Sequence, residues 1–67
     1  MSRIEYETVS GDITWVGDKS FKFFSYDKDD EVFIPHSCVP IGEEPSHKQD
    51  DIEIRIASWF CKKEGLI

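Results

Sequence analysis

The chain has 67 residues, fourteen acidic against eight basic, for a formal net charge of −6. That length fits one domain, and a chain so short buries only about 60% of its unfolded surface. The acidity argues against a nonspecific grip on phosphate, which needs Lys and Arg; no apolar run approaches the roughly 20 residues of a membrane span, and no charged, apolar leader opens the chain, so the expected location is the cytosol.

Along residues 3–9, Ile4, Tyr6 and Thr8 alternate with Glu5, Glu7 and Val9, the pattern of a half-buried strand. Ser10-Gly11-Asp12 interrupts it, and a glycine inside a strand pattern often marks a bulge. The reading is one long, bent strand to Val16, or two strands joined by a kink. After a turn at Gly17-Asp18-Lys19, residues 20–26 form a second strand, with Phe21 and Phe23 on one face and Lys22, Phe24 and Tyr26 on the other. Asp27-Lys28-Asp29-Asp30 is a tight polar turn. Glu31 to Ile34 forms a third strand, with Val32 and Ile34 facing one way and Phe33 the other. Pro35 lacks the donor a central ladder needs, so the strand ends there or lies at an edge. Residues 36–39 suit a single helical turn before Pro40 and complete a β-meander over 1–39.

Residues 40–50, with two prolines and a glycine, are a flexible polar loop. In 51–56, Ile52, Ile54 and Ile56 point inward and Asp51, Glu53 and Arg55 outward, a clear strand. Residues 57–64 follow as a short helix: Ser58 near its start suits a cap, Lys62 and Lys63 suit its last turn, and Gly65 with Leu66 suits its end. The fold class is therefore mostly β: a small curled antiparallel sheet or half-open barrel of OB or SH3-like type, four to five strands, with a short C-terminal helix.

Ile4, Tyr6, Ile13, Phe23, Val32, Ile34, Ile52, Ile54, Ile56, Trp59, Phe60 and Leu66 would fill one core. Trp15, Phe24, Tyr26 and Phe33 are left over, either as a second small core or as a contact patch, since exposed apolar patches on monomers are small. Net charge and surplus rings together suggest a protein partner with a basic surface: Asp27, Asp29, Asp30 and Glu31 would steer the encounter, and Phe33 or Tyr26 would anchor it. The alternative is a single-stranded nucleic acid stacked on exposed rings. An edge strand near Pro35 would equally support a dimer.

Catalytic signatures are missing: the chain has no Gly-rich phosphate loop and no nucleophile elbow, and Ser37 beside His36 is only a sequence neighbour, so the expectation is a non-enzymatic protein without a cofactor. His36, Cys38, His47 and Cys61 match no zinc spacing, and the turn at 27–31 lacks the glycine and distal glutamate of a calcium loop, so no metal site is expected. Cys38 and Cys61 read as free, partly buried thiols.

Two resemblances add to this reading. Gly11-Asp12-Ile13-Thr14-Trp15, Lys19-Ser20-Phe21-Lys22-Phe23-Phe24 and Glu31-Val32-Phe33-Ile34-Pro35-His36-Ser37 resemble the first strand and the two RNA-binding motifs of the cold-shock domain, an OB-fold barrel. That likeness covers about 27 residues and implies single-strand binding by Trp15, Lys19, Phe21, Lys22, Phe23, Phe33 and His36. Ser20 and Lys22 stand where that family has glycines, and Pro35 where it has a stacking histidine. More of the chain resembles small accessory proteins of phages and related mobile elements. Their layout runs from Glu-Val-Trp-Leu-Pro-Lys-Ser through a variable loop and an isoleucine-rich strand to Pro-Glu-Trp-Leu-Ala-x-x-Lys-Gly-Leu. The matching residues are Glu31 to Ser37 and the terminal Trp59, Phe60, Gly65 and Leu66. This likeness implies a phage-type accessory protein and carries no established activity; with the acidity and the surplus rings, the expectation is a module that modulates a host or defence protein.

Overall fold

The computed structural model describes residues 4–67. Four strands, β1 (Tyr6–Val16), β2 (Ser20–Ser25), β3 (Asp30–Pro35) and β4 (Gln49–Ala57), form one antiparallel sheet in the order β3-β2-β1-β4, and helix α1 (Ser58–Glu64) follows the last. The sheet is curled and unclosed. Residues 10–12 do not split β1, so the long, bent strand is the form observed; it begins at Tyr6, so Ile4 and Glu5, expected within it, precede it, and residue 3 lies outside the described residues.

Gly11 is required where β1 is most crowded. A Cβ there would lie 2.0 Å from the Phe24 carbonyl oxygen and 2.6 Å from the Phe23 ring, which no side chain survives. Gly11 pairs with Ser25 on one side and Ile52 on the other, so the strand is hemmed in by both neighbours.

The turn between β2 and β3 is built by its own polar groups. Buried Ser25 accepts the Lys28 amide on its hydroxyl at 3.2 Å and the Asp29 amide on its carbonyl at 2.7 Å, while Asp29 takes the left-handed backbone, φ 57°. Asp tolerates that conformation better than most residues. Pro35 ends β3, which is an edge strand, so its missing donor leaves no ladder bond unmade. A single 3₁₀ turn, His36–Cys38, then leads into the loop.

The inner face carries Val9, Ile13, Phe21, Phe23, Val32, Ile34, Ile54 and Ile56; Cys38, Val39, Ala57, Phe60, Cys61 and Leu66 close over it, with Tyr6, Val16 and Ile52 packed at the margin. Two expected core members are corrected. Ile4 is 57% exposed and Trp59 is 58% exposed. Ile4 precedes β1 and is not carried to the core by its pairing, and within the strand period two sends Thr8 outward and Val9 inward. Helix α1 has only seven residues and turns Phe60 and Cys61 to the sheet, which leaves the adjacent Trp59 on the outer side.

Ser58 does not cap α1. The cap position is Ala57, without a side-chain bond, and the Ser58 hydroxyl donates instead to Glu7 at 2.9 Å across to β1. The far end behaves as the sequence implies: Gly65 is left-handed at φ 74°, the Leu66 amide donates to the Cys61 carbonyl at 2.8 Å, and the Leu66 side chain is buried.

Candidate functional site

The outward face of the sheet follows from register. With Phe21 and Phe23 inside, Lys22 and Phe24 point outward. Lys22 pairs with Phe33 on β3 and with Trp15 on β1, and directly opposed residues share a face. Trp15 reaches that face through a bulge. Ile13 pairs with Phe23 in the core, the next pair is Trp15 with Lys22, and Thr14 is the extra residue. One inserted residue reverses the alternation, so Trp15 lies outside although Ile13, two positions earlier, is buried.

Trp15 and Phe33 meet edge to face, with centroids 6.1 Å apart and planes at 79°, and they are 47% and 59% exposed. Gly17 makes room for the indole: a Cβ there would sit 2.3 Å from Trp15 Cη2. The Lys22 ammonium lies over the Phe33 ring at 5.2 Å from its centroid. Glu31 accepts a hydrogen bond from the Thr14 hydroxyl at 2.8 Å. Thr14, Trp15, Lys22, Glu31 and Phe33 together line a cleft of about 380 Å³. Such a corner can seat an apolar or aromatic side chain between two rigid walls, with one cation and one anion beside it to orient the chain that carries it.

A second ring pair continues the same surface. Phe24, half-buried, packs edge to face with Tyr26 at 6.3 Å. The Tyr26 hydroxyl donates to Asp12 at 2.6 Å, and the Asp51 amide donates to the same oxygen at 2.8 Å. These donors hold the Asp12 carboxyl below its usual range, while that carboxylate pushes the Tyr26 phenol up to about 12.

The sequence-derived binding residues are thus split and recombined. Glu31 and Phe33 line the cleft, Tyr26 is tied to Asp12, and Asp27, Asp29 and Asp30 are exposed at the β2–β3 turn. Lys28 anchors that turn to the helix end, its ammonium donating to the Glu64 carbonyl at 2.5 Å. Of the residues implied by the cold-shock likeness, Trp15, Lys22 and Phe33 come together and Lys19 is exposed in the neighbouring turn. Phe21 and Phe23 do not join them: both lie on the inner face with no exposed surface, so neither ring can stack on a base. His36 also sits on the inner side, its ring 5.5 Å from Phe21 and its Nε2 at 2.8 Å from the Gly17 carbonyl. The pairing of Trp15 with Phe33, and the part of Thr14, escape a reading by alternation; only the crowding of a large indole two residues before Gly17 hints at them.

The His36 ring is engaged by Gly17 rather than by Ser37, and its Nδ1 is buried without a partner among the described residues. Burial pushes the Cys38 and Cys61 thiols up, away from the reactive thiolate. Among the described residues, no three His, Cys, Asp or Glu side chains gather where they could hold a metal ion. Nor is any helix among them long and apolar enough to cross a membrane. No family model, curated protein or solved structure matches the chain.

Proposed function

We propose that this chain is a non-enzymatic binding module that captures a protein partner on the outer face of its sheet, with Trp15 and Phe33 as anchors. The supporting observation is that these two rings, held edge to face across three strands, are about half exposed and backed by rigid sheet rather than by a loop. Large aromatic side chains on ordered backbone lose little entropy on binding and dominate protein interfaces. Glu31 in the cleft and Asp27, Asp29 and Asp30 on the adjoining turn favour a partner with a basic surface, which they would draw in at long range. In the phage-type reading, the module works in the host cytosol as an accessory that modulates a host or defence protein.

The second reading, a binder of single-stranded nucleic acid, draws on Trp15 and Phe33 with Lys22 between them on the sheet. Two arms separate the readings. Affinity capture from a candidate host, compared by quantitative mass spectrometry between the native chain and Trp15→Ala/Phe33→Ala, should retain a protein that the variant loses. A fluorescent single-stranded oligonucleotide should show no saturable binding at physiological salt. Tight oligonucleotide binding abolished by the same double variant would overturn the protein-binding reading.

A further inference from the structure

Strand β4 lies at the sheet edge opposite β3; Asp51 takes a left-handed backbone, φ 54°, where the register with β1 shifts, and the regular edge beyond it runs over six residues, 52–57. An edge strand carries a row of backbone donors and acceptors that point away from its one neighbour. The loop at 40–48 passes alongside but does not supply a strand. Pro40 and Pro45 have no amide hydrogen, Gly42 sits at φ 89°, and the loop satisfies itself, its Glu43 amide on the Pro40 carbonyl at 2.9 Å and its Gly42 amide on Glu44 at 2.8 Å. Among the described residues, no backbone hydrogen bond joins this loop to β4. Between them runs a cleft of about 500 Å³, with Ile52 and Ile54 on its β4 wall and the loop reaching across it through Glu43, which holds Arg55 in a bidentate pair.

We infer that the β4 edge is a second binding site, built to accept an extended basic segment of another protein as an added antiparallel or parallel strand. Backbone bonds to the free edge of β4 would supply affinity, and alternate side chains would give specificity. One set would rest on Ile52 and Ile54, and the other would meet the carboxylates of Glu44 and Glu53. The charge around the cleft selects this occupant. Glu43 and Arg55 offset each other in their pair, which leaves Glu44 and Glu53 as the unbalanced charges of the cleft lining. A second copy would bring the same carboxylates onto the same edge, whereas Lys or Arg on every other residue of an incoming strand neutralises them. This site lies on the far edge of the sheet from β3, which carries Phe33, so it stands independently of the aromatic cleft.

The test uses the full chain, ¹⁵N-labelled, titrated with a seven-residue peptide of alternating Lys with Val and Thr, blocked at both ends. Saturable amide shifts confined to 42–57 are expected. Replacing every Lys of the peptide by Glu should abolish them. N-methylation of alternate peptide amides should weaken binding on the order of tenfold or more, because it removes several backbone bonds. Shifts centred on Trp15 and Phe33, equal binding of the N-methylated peptide, or no shift at millimolar peptide would each overturn the proposal. So would a doubled molar mass of the free chain in sedimentation with protection of the β4 amides, which would give the edge to a second copy.

Discussion

Single residues hold the outer surface in place, and Gly11 and Gly17 show how differently two glycines do so. Gly11→Ala drives a methyl group into the Phe24 carbonyl and the Phe23 ring. It should cost at least about 3 kcal/mol, a large share of a small domain's stability, read as a collapse of the urea midpoint. The atoms nearest to the methyl group of Gly17→Ala all belong to the indole of Trp15, a side chain that can swing away; the urea midpoint should change little while partner binding falls. Equal losses of stability in the two variants would contradict this division. Tyr26 makes a pH test. Its hydrogen bond to Asp12 raises the folded pKa to about 12, above the ordinary value near 10. The bond therefore adds stability that is complete below pH 10 and disappears as pH rises toward 12. The matching effect at Asp12 has the opposite sense: its lowered pKa favours the fold above the ordinary carboxylate range and is lost as acid protonates it. Ultraviolet titration should find a late phenol that is absent in Tyr26→Phe; no late phenol in the native chain would show that the bond does not form in solution.

At the scale of elements, the short helix gives the sharpest contrast. Phe60 is buried and Trp59 beside it is 58% exposed. Phe60→Ala should cost about 3–5 kcal/mol, whereas Trp59→Ala should stay within about 0.5 kcal/mol, as surface substitutions do. Comparable losses would return Trp59 to the core. Sequence periodicity could not separate the two, because a two-turn helix gives too few positions to define a face. In β4, where Ile52, Ile54 and Ile56 alternate through the strand, burial follows the pattern closely. The left-handed end at Gly65 was equally legible, since Gly followed by Leu has one local explanation. β1 was not legible in detail. Its bulge at Thr14 reverses the face of everything after it, and such a shift is set by pairing with β2, not by the residues of β1 themselves. That is why Trp15 was recognised as surplus to the core while its partnership with Phe33 was not.

For the whole molecule, strand register decides which rings reach solvent. Phe21 and Phe23 fall on the inner face, while Trp15, Phe33 and Tyr26 take exposed positions. Together with a net charge of −6, this gives a surface suited to a basic partner. Charge reversal of Asp27, Asp29, Asp30 and Glu31 to Lys should slow association with that partner by about tenfold or more at low salt and flatten its salt dependence, leaving dissociation less affected. Stopped-flow rates at several ionic strengths check this, and unchanged rates would remove the turn from the encounter. The decisive measurement concerns Trp15 itself. In a Trp59→Phe chain labelled with 5-fluorotryptophan, the single fluorine resonance belongs to Trp15. Adding the captured partner should shift that resonance and shield it from a soluble paramagnetic agent; a resonance unmoved and equally broadened in the saturated complex would mean that the aromatic cleft is not where this protein binds.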